Sequence, residues 1–327
     1  VLVDEYQDVN ALQIKLLDRL QPTALFCVGD PRQSIFGWRG SDVSCILDFQ
    51  KKFEAAEVIA LRDNYRSCAS LVAFMNEAIA AMRLPPLQTA IEGEGTLKLV
   101  ECANETAEHD FVIQLILKSG SQRNNIFVLA RTHRLLKDLS ERMKLLAVPH
   151  IVRSEDTELR AAHPNEVILS TIHAIKGMEA HTVFVIGCTT QAFPCRAGDH
   201  PVVDLVKDKE YDAFEEERRL FYVALSRAQK ELYLTYTSGL TRFLTDGMKK
   251  LLETKKTGNG DVIDRLRSWR TELAREQGVP PYVIFHDSVL IEIATRKPET
   301  LEELQMIKGI GPTKLMKYGE RLLELLM

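Results

Sequence analysis

Five apolar runs recur between residues 95 and 236: "GTLKLVEC" (95–102), "NIFVLAR" (125–131), "EVILSTIH" (166–173), "HTVFVIG" (181–187) and "ELYLTY" (231–236). An earlier run, "ALFCVGD" (24–30), has the same character and ends in Gly-Asp. Most are nearly continuous in apolar residues, with little of the polar alternation of a half-solvated strand. Such strands suit a parallel sheet covered on both faces. The segments between them are amphipathic. In 68–83, Leu71, Phe74, Met75, Ala78, Ile79 and Met82 fall on one helical face, and 107–118, 134–146 and 213–228 read similarly. Strand–helix alternation of this kind points to a doubly wound α/β architecture.

The pattern stops after about residue 240. The stretch "KKLLETKKTGNGDV" is charged and then Gly/Asn-rich, and it is expected to be a linker at 246–260. Beyond it, 262–276, 287–296, 299–307 and 312–326 suit helices, with Thr300 and Glu303 forming a capping box. A small all-α domain is therefore expected over 261–327. With 327 residues the chain has room for two or three domains. It has no run of 18 apolar residues, which excludes a membrane-spanning helix. The six Cys contain no C-x-x-C pair and read as reduced and mostly buried, as in a cytoplasmic, nucleoid-associated protein. A net charge of −4 argues against coating nucleic acid indiscriminately and leaves room for a local basic groove.

The polar residues at the strand ends carry the chemistry. "VLVDEYQD" places Asp4 and Glu5 where α/β sheets bind ligands, at a strand's carboxyl end. Asp4 suits Mg²⁺, and Glu5 can orient or deprotonate a water. "VGDPRQSIFGWRGSD" (28–42) holds Gln33, then Trp38 and Arg39 between glycines, a combination suited to stacking bases of single-stranded nucleic acid. In "LRDNYRS" (61–67), following an apolar strand expected at "EVIAL", Tyr65 can lie on a base and Arg66 can reach a phosphate. "STIHAIKGME" (170–179) offers Thr171 and His173 to a phosphodiester backbone. Its Lys176-Gly177 is expected to open a short helix with free N–H groups, and Glu179 suits a ribose hydroxyl. In "FEEERRLFYVALSRAQKELYLTY" (214–236), Arg227 lies between a helix and a strand, placed to project across a domain boundary. Singly, each has a plainer reading: a solvated acidic strand end, a buried Trp, a surface Arg, a structural His, a solvated helix face.

In combination and order, these segments closely resemble the UvrD/Rep-like superfamily 1 DNA helicases over about 1–240. "VLVDEYQD", "GDPRQSIFGWRGSD", "NYRS", "TIHAIKGMEAHTVFVIG" and "EEERRLFYVALSRA" look like that family's second to sixth motifs, and "VLARTHRLL" (128–136) like a further DNA-contacting segment. The resemblance implies two RecA-like α/β domains of the P-loop NTPase fold. It implies ATP and Mg²⁺ as cofactors, single-stranded and duplex DNA as partners, and 3′–5′ translocation. It assigns the Mg²⁺ ligand to Asp4, the catalytic acid to Glu5 and the γ-phosphate sensor to Gln33. Tyr65 is then the adenine-stacking residue, Arg66 and Arg227 the arginine fingers, and Gly177 and Glu179 nucleotide contacts. Trp38 stacks bases, with Arg39 beside it, and Arg131, Thr132, Thr171 and His173 lie near the DNA backbone. The tail, "LEELQMIKGIGPTKLMKYGERLLELL", resembles an HRDC domain, with a helix–hairpin–helix-like "GIGPTKLMKYG". From 258 onward it holds 10 Lys and Arg against 11 Asp and Glu, so a protein-contacting role stands beside DNA binding.

The sequence departs from the family in two places. No Gly-Lys dipeptide occurs anywhere, so the G-x-x-x-x-G-K-[ST] phosphate loop has no match. The expectation is a first RecA-like domain represented only by 1–60, without its P-loop, and a second over 61–245. Alone, such a chain is expected to be inactive. The alternatives are a non-catalytic DNA-binding or partner-recruiting module, or one half of a two-chain helicase whose other part supplies the P-loop segment. The stretch 149–171 also leaves room for a loop where full-size members carry a large accessory domain.

Overall fold

The computed structural model describes residues 1–154, 160–195, 212–256 and 259–326. At the start, β1 (Leu2–Val3), α1 (Ala11–Leu20), β2 (Phe26–Cys27), α2 (Ser44–Leu47) and α3 (Phe49–Lys52) form a first unit. Its two strands pair in parallel, Leu2 opposite Phe26 and Val3 opposite Cys27. Asn10 caps α1 by accepting from the Leu12 and Gln13 N–H groups, and Gln13 returns a bond to the Asn10 N–H. The run expected as a strand over 24–30 is a strand only at 26–27, because β1 is its one sheet neighbour among the described residues. Leu2, Leu12 and Phe26 consequently lie open to water. The apolar "EVIAL" (57–61), expected as a strand, has no sheet partner either, and Val58, Ile59 and Leu61 are exposed.

The second unit follows in the order β3 (Asp63–Asn64), α4 (Ala69–Ala78), β4 (Gln88–Thr89), β5 (Thr96–Glu101), α5 (Glu105–Lys118), β6 (Ile126–Ala130), α6 (His133–Leu145), β7 (His150–Arg153), β8 (Val167–Thr171), β9 (Ala180–Val185), α7 (Ala213–Leu225), β10 (Ala228–Tyr236), α8 (Asp246–Leu251) and β11 (Glu253–Lys256). Seven of these strands form one sheet in the order β11-β5-β10-β9-β6-β8-β7, every pair parallel. All five apolar runs of 95–236 are strands of it. Although each run is apolar on both sides, its side chains still alternate between two cores. Phe127 and Leu129 pack with Leu71, Phe74, Leu220 and Phe221 from α4 and α7. Ile126, Val128 and Ala130 pack with Ile113, Leu136 and Leu139 from α5 and α6. The helical face read over 68–83 is buried, with Met82 partly so, although α4 itself ends at Ala78 and a 3₁₀ turn completes it.

The expected linker is mostly structured. Residues 246–256 form α8 and β11, and β11 pairs with β5 from Glu253↔Lys98 to Lys256↔Glu101. Among the described residues β11 is an end strand of the sheet, paired on one side only, so a charged run reads as linker while forming an edge strand. Residues 257–258 lie outside the described residues. The expected loop at 149–171 contains β7, registered from His150↔Val167 to Arg153↔Ser170, and its residues 155–159 lie outside the described ones.

Five helices complete the chain: α9 (Asn259–Glu276), α10 (Pro281–Ile284), α11 (Asp287–Arg296), α12 (Leu301–Gln305) and α13 (Pro312–Leu326). They close around their own core of Leu266, Phe285, Leu290, Leu304 and Leu322. Thr300 caps α12 through the Glu303 N–H, while the Glu303 carboxylate bonds the Glu299 N–H one residue short of a full capping box. All six cysteines are free; Cys68, Cys102 and Cys188 are buried and the other three half-buried. Among the described residues no helix is long and apolar enough to cross a membrane.

Several ionisable groups of the second unit are buried, Glu108 among them. Glu108 on α5 is fully buried and accepts from the Thr235 hydroxyl at 2.6 Å and the Gly187 N–H at 3.0 Å. Burial pushes its carboxyl above the ordinary 4.5, and those two bonds offset this only in part. A raised folded-state value means that the folded chain holds its proton longer than the unfolded chain. The wild type therefore loses stability as pH climbs above 4.5 and through the folded-state value. Glu108→Gln removes that dependence. Its stability relative to wild type, followed by thermal unfolding across this range, should improve as pH rises.

Candidate functional site

The site is built where the first unit meets α7 and the amino ends of β9 and β10. Beyond β1, Asp4 is exposed and accepts the Glu5 N–H at 2.8 Å. Glu5 takes a left-handed conformation, φ 49°, which a non-glycine residue adopts at a cost. Gln7, fully buried, donates to Glu5 and accepts the Asp30 N–H at 2.9 Å. It thereby ties the acidic strand end to the Gly-Asp-Pro turn. The approach is close enough to require a glycine: a Cβ at Gly29 would lie 2.5 Å from Gln7 Oε1 and 2.9 Å from Ile46 Cδ1. Asp30 caps the 3₁₀ turn Pro31–Gln33 and accepts from Gln33 Nε2 at 3.0 Å. That bond fixes the Gln33 amide with its oxygen toward Arg227, whose Nη2 donates to it at 3.3 Å.

Arg227 lies between α7 and β10 and is 1 % exposed. Its other bonds run to Val223 O at 3.0 Å, Met178 O at 3.1 Å and Ser226 Oγ at 2.8 Å. All four acceptors are neutral, and no carboxylate among the described residues lies within ion-pair distance. Burial, then the neighbouring Arg66, pull its pKa down to about 10. Arg66 is held by Glu179 and by Ser226 O at 3.1 Å. Glu179 also accepts from Gln229 at 2.9 Å, and the Arg66 bond holds its carboxyl below the ordinary value.

Lys176 links the two units. Its ammonium donates to Asp8 and to Gln33 O at 3.1 Å and lies 3.2 Å from Glu5. Burial raises the Asp8 carboxyl, and Lys176 opposes that rise. Lys176-Gly177 does not open a helix, as expected from sequence. It follows the 3₁₀ turn His173–Ile175 and leads into β9, Gly177 turning at φ +85° with open space around it. Two further contacts from α7 seat the first unit: Glu216 accepts the Gly37 N–H at 2.9 Å, and Arg219 donates to Ser34 O at 2.6 Å. Glu5, Gln33, Lys176 and Arg227 thus form one connected group, with Arg66 and Glu179 joined to it through Ser226. Asp4, Gly177 and Tyr65 are exposed. Gln7, Asp8, Lys176, Glu216 and Arg219 were not singled out from sequence as site residues. Gln7 lies within "DEYQD" and Glu216 and Arg219 within "EEERR", so no local pattern sets them apart from their charged neighbours.

A second group forms an aromatic surface. The Arg39 guanidinium lies 4.3 Å from the Trp38 ring centroid and 5.1 Å from that of Phe36. Trp38 is half-buried, neither a core residue nor fully open. The His173 ring is 6.1 Å from Phe36. Burial, Arg131 and Arg39 push His173 down to about 4, so it is neutral near pH 7. Arg131 grips the Glu217 carboxylate through Nε at 2.9 and 3.0 Å. Thr171 is buried at the end of β8, and Thr132 stands at the N-terminus of α6 with no side-chain capping bond. Among the described residues no cluster of three or more His, Cys, Asp or Glu is arranged to hold a metal.

Three family models match the chain: the UvrD/REP helicase N-terminal domain at 1–54, the UvrD-like helicase C-terminal domain at 59–157 and 150–239, and the HRDC domain at 259–326. Among relatives, a "Probable DNA helicase" of Mycoplasma pneumoniae is 32% identical over 276 residues, covering 78% of this chain and 48% of that protein. "ATP-dependent DNA helicase UvrD2" of Mycobacterium bovis is 25% identical over 469 positions, covering 99% of this chain and 66% of that protein. "ATP-dependent DNA helicase PcrA" of Staphylococcus epidermidis is 35% identical over 156 residues, covering 45% of this chain and 21% of that protein. The chain thus spans between about half and two thirds of the first two relatives' length.

Lys176→Ala would leave Asp8 and Glu5 facing the second unit without their cation. Truncating one partner of a charge pair at an interface costs about 2–5 kcal/mol. Hydrogen exchange at residues 4–10 and 30–36 should accelerate in this variant while the large sheet stays protected.

Proposed function

Because the chain belongs to the UvrD-like helicase family and carries an HRDC domain at its C-terminal end, we propose that it is part of an ATP-dependent DNA helicase that moves 3′ to 5′ along DNA. ATP is hydrolysed between two RecA-like domains, the first represented by its C-terminal part at 1–60 and the second spanning 61–245. The observation that carries this reading is the state of Arg227. A buried guanidinium pays a large desolvation cost, and neutral acceptors offset little of it. Arg66 nearby makes the surroundings more cationic still. A phosphate chain supplies the anion that this arrangement lacks.

In this reading Arg227 and Arg66 neutralise charge on the transferred phosphoryl group, the arginine-finger role. Arg66 leaves Glu179 to do so, freeing that carboxylate for a ribose hydroxyl, with Gly177 giving the nucleotide close approach. Gln33 senses the γ-phosphate, and Glu5, already strained, orients the attacking water. Tyr65 offers its exposed ring to the adenine. Asp4 suits Mg²⁺, since one of its oxygens is left open and this ion binds through one or two carboxylates beside phosphates. When bound, Mg²⁺ supplies charge neutralisation at the phosphates. DNA crosses the surface of Trp38, Arg39, His173, Thr132 and Arg131, with the buried Thr171 beneath it and Arg131 exchanging Glu217 for a backbone phosphate.

The 327 residues contain no Gly-Lys phosphate loop, so by themselves they should not turn over ATP. Supplied with a P-loop-bearing N-terminal segment, covalently or as a second chain, they should show DNA-stimulated ATPase. In that assembly Arg227→Ala should lower kcat by about 10³-fold or more. An unchanged kcat removes the proposed role, and failure to respond to DNA favours a binding module over a motor. Trp38→Ala should weaken single-stranded DNA binding by about 1–3 kcal/mol, read by fluorescence anisotropy.

A further inference from the structure

The HRDC domain meets the second α/β unit through charge. Its helix α9 lies against α5. On the α/β side, Asp110 of α5, 2 % exposed, pairs with Arg142 of α6. On the HRDC side, Asp287, the first residue of α11, pairs with Arg267 at 2.6 Å and Arg270 at 2.8 Å. The two pairs stand antiparallel. Arg267 is 3.7 Å from Asp110 and Arg142 is 3.7 Å from Asp287, so each acid faces a cation of its own unit and one of the other.

Three features say that charge, more than apolar burial, holds this contact. The core under α5 and α6 and the core of the HRDC domain are separate clusters. Leu117 and Leu145, at the C-terminal ends of α5 and α6, remain in water. Asp110 Oδ2 is buried without a hydrogen bond, and the HRDC residue Arg267 is its facing cation. Both cross-pairs lie beyond hydrogen-bond reach and act by Coulomb attraction; Asp287, 40 % exposed, leaves its pair with Arg142 open to screening, and undocking exposes Asp110 to it as well.

We infer that Asp110, Arg142, Arg267 and Asp287 form a salt-sensitive clasp that docks the HRDC domain reversibly on the back of the second α/β unit. The back is the α5/α6 layer, opposite the α4/α7 layer that meets the first unit. Docked, the HRDC domain moves with the second unit as one body and does not touch the group around Arg227. The inference does not depend on the proposed function.

Small-angle scattering of the full chain tests it. The radius of gyration should grow between about 0.1 M and about 1 M salt, as the Debye length falls from roughly 10 to 3 Å. Reversing one side with Asp110→Arg and Arg142→Asp keeps the pair within its own unit but sets like charges against the HRDC domain. This variant should be extended already at low salt. Adding Arg267→Asp, Arg270→Gln and Asp287→Arg should restore the compact profile. Circular dichroism checks that each variant is folded, and the wild-type salt series decides the matter if one is not. A wild-type profile unchanged by salt, a compact reversed variant, or a combined variant that stays extended while folded would each overturn the clasp.

Discussion

A guanidinium almost out of contact with water, bonded to four neutral oxygens, sits where the two α/β units join. Most of the local architecture exists to hold Arg227 there. The backbone of α7 supplies one acceptor, the turn before β9 another, and Gln33 of the first unit a third. Gln33 is in turn fixed by Asp30, Asp30 by Gln7, and Gln7 by the tight turn that only Gly29 allows. A buried cation of this kind is costly in the absence of an anion, which makes it a better pointer to a ligand than any exposed charge nearby.

The large sheet makes that arrangement possible. Parallel strands all begin on the same edge, so the segments leading into β9 and β10 converge there although they are far apart in sequence. Lys176, Glu179 and Arg227 come from those segments, and Arg66 joins them from the segment before α4. The opposite face of the sheet is free to carry another domain. The result is a division of labour between layers, with α4 and α7 facing the first unit and α5 and α6 facing the HRDC domain.

Much of this was legible in the chain. The five apolar runs of 95–236 are β5, β6, β8, β9 and β10, because strands buried on both faces leave little choice of residue. The helical patterns at 107–118, 134–146 and 312–326 were equally plain, since their apolar faces pack on a core. The errors fall where burial and composition part company. Residues 253–256 are charged yet form an edge strand, and so read as linker. "EVIAL" is apolar but has no sheet partner. Lys176-Gly177 looked like a helix start, yet its residues turn toward the first unit, a contact with no local signature.

The order of the motifs along the sequence determined the family, the parallel α/β class and the identity of the candidate residues, since these depend on residue type and spacing. Only the tertiary structure decided which of them touch: that Arg227 meets Gln33, that Arg66 is held by Glu179, that Arg131 is taken up by Glu217, and that Asp110 faces Arg267. Those pairings join residues from 86 to 194 positions apart. No local pattern encodes such distances, because they are set by sheet order and by how separate units dock.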